Sequence, residues 1–320
     1  MSESKKNSPA VRFVTVDADF AGQRIDNFLM RELKGVPKSF VYRILRRGEV
    51  RVNKGRVKAA YRLKGGDMVR IPPVRLPDPA EKPKPTKNLL AQLENAIIFE
   101  NDRFLVLNKP SGIAVHGGSG LNFGVIEALR ELRPEDHHLE LVHRLDRATS
   151  GCLLISKKRS ALRILHELIR NNRVDKRYLA LVAGSWRKGR KNADAPLLKN
   201  TLQGGERLVR VDPEGKSAQT RFQRLRRFRN YTFVEAELIT GRTHQIRVHC
   251  AWLGSPVLGD TKYGDEAANR EMRKLGLKRL FLHAHKLKFR WPDEKRDLEI
   301  KAPLPSELET LLEKLDEENR

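Results

Sequence analysis

Between Pro72 and Lys87 the chain reads PPVRLPDPAEKPKPTK, and six of those sixteen residues are proline. Proline fixes φ at about −65° and has no backbone N–H, so neither a helix interior nor a central strand can run through such a stretch. What remains is an extended, semi-rigid linker. The chain must therefore fold as two units, and 320 residues suffice for two domains of ordinary size. The expected division is a flexible polar N-terminal segment over 1–21, a small domain over 22–73, the linker over 74–88 and a large domain over 89–320.

The charge is unevenly shared. Sixty-four Lys and Arg stand against 40 Asp and Glu, a formal net charge of +24. Residues 23–75 alone hold 15 Lys and Arg and 4 Asp and Glu, a net +11, which leaves +13 for the other 267 residues. Solubility alone is better served by acidic residues, so the excess asks for a polyanionic partner. No basic amphipathic helix with a bulky apolar face points to a membrane surface, and no apolar run of 18 residues spans one. Nucleic acid remains. The opening residues, MSESKKNSPAVRF, lack the apolar core of a secretory signal. Cys152 and Cys250 form no Cys-x-x-Cys pair, so neither a disulfide framework nor a cysteine zinc site is expected. The expected compartment is the cytoplasm.

The basic block has a readable pattern. Ile25, Phe28, Leu29 and Leu33 fall at helical spacing. Pro37 opens a second helix with Phe40, Val41, Ile44 and Leu45 on one face, and Gly48 is placed to end it. Two short alternating runs then flank an Asn53-Lys54-Gly55 turn, and Met68–Ile71 closes the module as a strand. Arg43, Arg46, Arg47, Arg51, Lys54 and Arg56 can share one surface while the apolar set forms the core. The stretches GQRIDNFL, RILRRGEVRVNKGRV and GDMVRI resemble the S4 RNA-binding domain, which makes this basic set the expected RNA-binding surface.

In the larger part, Ile97–Glu100 and Phe104–Leu107 read as a hairpin, and Phe123–Arg133 as an amphipathic helix stopped by Pro134. Cys152–Ile155 reads as a buried strand, Ala161–Arg170 as a helix and Tyr178–Val182 as a strand. Gly241–Leu253 has helical spacing up to Gly254, and Ser306 with Glu309 reads as a capping box for a last helix. Strands and helices mix without a βαβ rhythm, so the fold class is α+β with a mixed sheet.

Some motifs lead nowhere. Gly215-Lys216-Ser217 ends like a phosphate loop, but Arg210 occupies the place of its first glycine. His244 and His249, or His283 and His285, have no carboxylate or cysteine at a zinc-site spacing and read as structural histidines. The segment Leu141–Gly151, LVHRLDRATSG, is different: one carboxylate, Asp146, lies between Arg144 and Arg147 just before a buried strand. A carboxylate beside guanidinium groups stays ionised, which suits a nucleophile or base and not a general acid. Taken alone, these residues also fit a structural Arg–Asp pair that fixes a loop.

The companion motifs decide between the two. HRLDRATSG is followed by KRYLALV at 176–182, TGRTHQIRVH at 240–249 and FLHA at 281–284, with NKPSG at 108–112 before it. In this order and spacing, over roughly residues 90–302, they resemble the RluA-type pseudouridine synthases. The resemblance implies an S4 domain linked to a catalytic domain with a central RNA-binding cleft, which isomerises uridine to pseudouridine without metal, nucleotide or flavin. It makes Asp146 the catalytic residue, Arg247 its partner, Tyr178 the aromatic that stacks on the target base and Leu282 an apolar wall. Arg144 would take the place of the flipped uridine, with Arg147 in a supporting or phosphate-binding role. The implied substrate is 23S ribosomal RNA, free or in an assembling large subunit; separately, a monomer is expected. The rival expectations are the same reaction at other rRNA or tRNA sites, and a non-catalytic RNA-binding factor for ribosome assembly.

Overall fold

The apolar side chains of the basic block bury one another, and the short elements of that block follow from where they sit. Ile25, Phe28 and Leu29 of α1 (Ile25–Glu32) face Val41, Ile44 and Leu45 of α2 (Lys38–Arg47) over one small core. A computed structural model of the chain describes residues 10–33, 35–74, 85–117, 123–187, 189–201 and 207–318. It divides the protein into two units, Met1–Pro83 and Lys84–Arg320. In the first, four strands, β1 (Arg12–Thr15), β2 (Arg51–Val52), β3 (Gly55–Arg56) and β4 (Met68–Ile71), pair in the order β1-β4-β2-β3. Gly48 ends α2 at φ +70°, and its N–H and that of Glu49 return to the carbonyls of Leu45 and Ile44. Asn53 and Lys54 both have positive φ, 49° and 69°, as a two-residue hairpin turn with the right-handed strand twist requires.

Two boundaries differ from the expectation. Residues 12–20 are not a flexible segment: β1 pairs antiparallel with β4 from Arg12↔Ile71 to Thr15↔Met68, and a single 3₁₀ turn follows at Ala18–Phe20. The cause is the two-residue spacing of Val14 and Val16, which puts both on one face and packs Val16 into the core. At the other boundary α3 (Lys87–Asn95) begins inside the stretch assigned to the linker, because the Thr86 hydroxyl accepts the Leu89 N–H at 3.3 Å and caps the helix. Residues 1–9 and linker residues 75–84 lie outside the described residues.

The second unit is built on a ten-stranded mixed sheet. Along its main path lie β5 (Ile97–Glu100), β6 (Phe104–Lys109), β8 (Ser150–Ser156), β9 (Val174–Ala183) and β10 (Arg190–Asp194). They are joined by β13 (Gln219–Arg227), β14 (Tyr231–Leu238) and β15 (Leu282–Arg290), in the order β10-β13-β14-β9-β15-β8-β6-β5. Two further strands hang from it, β7 (Glu140–Leu141) on β8 and β16 (Asp297–Lys301) on β15, while β11 (Leu197–Thr201) and β12 (Arg207–Val211) pair separately. Its helices after α3 are α4 (Val125–Leu132), α5 (Arg159–Arg170), α6 (Gln245–Trp252), α7 (Glu266–Leu275) and α8 (Ser306–Glu317).

β6 and β8 each carry a run of four apolar residues because both of their faces are covered. On β6 and β8, Leu105, Leu107, Leu153 and Ile155 face one core with α4, whereas Phe104, Val106, Cys152 and Leu154 face another with α5. The sheet is antiparallel except where β15 runs parallel to β8, pairing His283 with Ser150 and Ala284 with Gly151. Gly151 sits at φ +107°, and a Cβ there would lie 2.3 Å from the Ala284 carbonyl oxygen, so only glycine lets these strands meet. That junction sets the loop before β8 beside the start of β15.

Two local expectations are corrected, and one region goes unread. α6 starts at Gln245, not Gly241, because 241–243 form a loop and His244 stands at φ +55°. The capping box at Ser306 does not form: Pro305 is the cap residue and Ser306 already lies inside α8. Between Ala183 and Thr240 the chain forms β10 to β14, which the hydrophobic pattern does not announce. These strands are masked by charge on their open face, as in QTRFQRLRR, where only Thr220 and Phe222 turn inward.

Candidate active site

Asp146 lies in the loop between β7 and β8, and a set of main-chain carbonyls fixes that loop. The Lys109 ammonium, fully buried, donates to the carbonyls of Pro110, Ile113 and Arg147 at 2.7, 2.9 and 3.3 Å. Ser111 Oγ donates to Ala148 O at 2.7 Å, and the Gly112 N–H donates to Arg147 O at 2.8 Å. Arg147 Nε returns a bond to Gly112 O at 2.8 Å. The Asn-Lys-Pro-Ser-Gly segment is thus a splint for the Asp146 loop. From the other side, His143 Nε2 accepts the Leu154 N–H at 3.1 Å, and burial lowers its imidazole to about 4, so it is neutral.

The arginines that flank Asp146 in sequence are not the ones beside it in space. Arg147 turns its Nε–H to Gly112 O, and Arg144 is exposed, with no side-chain hydrogen bond or ion pair among the described residues. The contacts come instead from α6. Arg247 Nη1 stands 3.4 Å from Asp146 Oδ2, and His244 Nε2 stands 3.8 Å from the same oxygen. Oδ1 accepts no hydrogen bond among the described residues.

Arg247 in turn is clamped. Its Nε and Nη2 donate to Asp260 Oδ2 and Oδ1 at 2.7 and 2.8 Å, a planar two-bond pair, and its guanidinium lies 5.0 Å from the Tyr263 ring centroid. Asp260 also accepts the N–H groups of Lys262 and Tyr263. Burial would raise its carboxyl, but Arg247 and these N–H groups hold it below the ordinary carboxylate range. Sequence reasoning gives Arg247 a single partner and misses Asp260 and Tyr263; the signal for them is GDTKYG at 259–264, a carboxylate and an aromatic framed by glycines. His244, read from sequence as structural, borders Asp146. His249 and His283 are packed away, the former between Thr220 Oγ1 and Ala195 O, the latter between Ser150 Oγ and Ala302 O.

A cleft of about 580 Å³ opens over Asp146. Its apolar surface comes from Leu145, Ile246, Leu282 at the start of β15, and Tyr178 on β9, two residues before the Ala180 that pairs with Leu282. Burial, with Asp146 adding to it, pushes the Tyr178 phenol above its usual range, so it stays protonated. Arg144, Arg170, Lys176, Arg242 and Arg247 also line the cleft, and among the described residues Asp146 is the one carboxylate that lines it. The basic residues of the first unit, Arg43, Arg46 and Arg47 on α2, Arg51 on β2 and Lys54 in the hairpin turn, are all exposed. Arg43 stacks over Phe40 at 4.7 Å and Arg47 lies 3.8 Å from Glu49.

A lone carboxylate under a basic, half-apolar cleft, on a mixed sheet linked to a small basic domain, is the arrangement of an enzyme acting on RNA. Residues 103–252 match the family of RNA pseudouridylate synthases and residues 23–69 match the S4 domain. The chain belongs to the pseudouridine synthase family, in its RluA-type branch, and is an RNA pseudouridine synthase. It is 56% identical over 317 residues to the ribosomal large subunit pseudouridine synthase C of Pasteurella multocida (strain Pm70), covering 99% of this chain and 97% of that protein. Its identity to the protein of the same name from Escherichia coli (strain K12) is 55% over 314 residues, 97% of this chain and 98% of the other. Among solved structures, human RNA pseudouridylate synthase domain containing 4 superposes with a TM-score of 0.60 at 28% identity, over 72% of this chain and 96% of that one.

Proposed function

We propose that this enzyme converts particular uridines of 23S ribosomal RNA, in the large subunit, to pseudouridine, with Asp146 as the essential group. The observation that carries the reading is the isolation of one carboxylate, Asp146, in a cleft whose other charged lining residues, among those described, are basic. The names of the full-length relatives supply the RNA.

The reaction breaks the N1–C1′ bond of uridine, turns the base and joins C5 to C1′. Neither oxidation nor energy input is needed. The first requirement is access, because a base in a helical stack cannot turn, so the uridine must leave its stack. Exposed Arg144 at the cleft is free to stack in the vacated place with its planar guanidinium. The base enters between Tyr178 and Leu282. The Tyr178 ring serves there as a stacking surface for the base. Arg247, clamped by Asp260, holds Asp146 Oδ2, which leaves Oδ1, without a hydrogen bond among the described residues, for the substrate. Exposed Arg46, Arg47, Arg51 and Lys54 hold the RNA backbone from the S4 unit, in the cytoplasm, where the enzyme acts as a monomer without cofactor.

The test is a map of pseudouridines in large-subunit rRNA from cells with and without the protein. The reading expects defined sites to be lost, and to be restored by the wild-type gene but not by one encoding Asp146→Asn. An unchanged rRNA map with sites lost in tRNA would move the substrate elsewhere.

A further inference from the structure

His244 occupies an unusual place: the left-handed residue at the mouth of α6, with its ring between Asp146 and Tyr263. Its two ring nitrogens have different neighbours. Nδ1 is 2.8 Å from Tyr263 Oη, and Nε2 is 3.8 Å from Asp146 Oδ2. Tyr263 Oη already accepts the main-chain N–H of Val209 on β12 at 3.0 Å. With that acceptor site used, the phenol proton is directed to Nδ1, and an imidazole that accepts at Nδ1 carries its own proton on Nε2.

We infer that His244 is a positioning residue for the reaction: a neutral imidazole whose Nε2–H, fixed in that tautomer by Tyr263, shares Asp146 Oδ2 with Arg247 and keeps Oδ1 for the substrate. The inference rests on the reading of Asp146 as the essential group. Several observations agree with it. Burial lowers the imidazole below its ordinary value, against the pull of Asp146. The other charged groups facing the ring are Arg247 on α6, and Asp260 and Lys262 on the loop that follows it. A neutral ring suits the task better than an imidazolium, which would set a second positive charge beside Arg247 on the same carboxylate oxygen and lower the basicity of Asp146 further. A contact of 3.8 Å is long for a hydrogen bond, but catalytic contacts shorten when substrate fills the site.

The chain Val209–Tyr263–His244–Asp146 also gives β12 a purpose. It carries the fixed N–H that sets the proton on a side chain of the cleft.

The experiment is single-turnover pseudouridine formation on a 23S rRNA fragment by the full-length protein, with RNA affinity and thermal melting measured for each variant. Three replacements share the backbone demand at φ +55°, which Asn tolerates best. Gln places an amide N–H where Nε2–H stood. Asn reaches only to the Nδ1 position, and Ala reaches neither. His244→Asn and His244→Ala should lose on the order of tenfold to a hundredfold in rate at unchanged RNA affinity. His244→Gln should stay within about fivefold of wild type, by the same scale. Tyr263→Phe should slow the wild type yet cost little in the Gln background, which has no tautomer to fix.

Equal loss in all three His244 variants would assign the residue to packing alone and overturn the inference, as would a wild-type rate for His244→Ala. Asp146→Asn run beside them separates the two readings. If it is nearly inactive while His244→Ala is fast, only the role of His244 fails. If it is as fast as wild type, the reading of Asp146 fails and takes this one with it.

Discussion

At the scale of single residues, two tasks that the sequence places side by side fall to different surroundings. Arg144 and Asp146 are two positions apart, but one is exposed and unpaired among the described residues while the other is held by Arg247. Arg144 should act on the conformation of the RNA. Arg144→Ala should therefore be most harmful where the target uridine is stacked in a helix, and a substrate with that uridine in an unstructured strand should recover much of the rate. Unstacking costs a few kcal/mol, least for a base already unpaired. Single-turnover rates on a structured and an unstructured RNA of matched sequence check this, and an equal reduction on both would relocate Arg144 to the chemical step. Legible in the sequence at this scale are residues with a chemical signature in a motif: Asp146, Tyr178 and Arg247. Their partners are harder to read: Asp260 lies 114 positions downstream of Asp146, and GDTKYG at 259–264 marks a carboxylate and an aromatic without saying that Asp260 joins Arg247 by two hydrogen bonds. Arg147 reads in the motif as a supporting or phosphate-binding residue, and its Nε–H donates to the Gly112 carbonyl, a contact that supports the Asp146 loop.

At the scale of elements the site depends on one crossing of strands. The parallel contact of β8 with β15 brings the Asp146 loop to Leu282, and Gly151 lies where a side chain would strike Ala284. Gly151→Ala combines that clash with a left-handed φ, and we expect a reduction of about 3 kcal/mol or more in the stability of the catalytic unit. Urea denaturation reads it directly. A reduction under about 1 kcal/mol would show that the two strands separate easily, against the close packing argued above. The elements that sequence patterning recovers, such as α2, β6, β8 and α5, have either a long apolar face or a continuous buried run. Those it does not recover are half-covered and highly charged. In β13 the inward residues Thr220 and Phe222 are too few to set a period against four arginines and two glutamines, so pairing with β10 and β14 decides the strand.

At the scale of the whole molecule, charge and pH give two checks. Replacing the exposed Arg46, Arg47, Arg51 and Lys54 by Ala leaves the S4 core intact and withdraws four cations from the RNA backbone. The slope of log affinity against log salt should then flatten by roughly 0.7 to 0.9 for each phosphate no longer neutralised. An unchanged slope would mean that this surface does not touch the RNA. Stability should also fall on acidification. Burial lowers both His143 and His283 from the ordinary value to about 4 in the folded catalytic unit. Between about pH 6.5 and pH 4 the unfolded chain therefore binds protons that the folded chain does not, and stability is full above this window and declines as pH falls through it. Each residue contributes a slope of up to about 1.4 kcal/mol per pH unit there. Unfolding free energies for the catalytic unit at pH 7, 6 and 5 would show it, and a flat profile would mean that these rings are hydrated.

The central claim is that one carboxylate performs the isomerisation on large-subunit RNA, and a single measurement addresses it. Full-length protein and its Asp146→Asn variant, at saturating concentration, are given one turnover on 23S rRNA, and the pseudouridine formed is counted at each site. The account predicts defined sites filled by the wild type, and a rate for Asp146→Asn lower by at least about a thousandfold, or some 4 kcal/mol of barrier, with RNA affinity kept. A variant that retains even a tenth of the rate, a change of only about 1.4 kcal/mol, would contradict it.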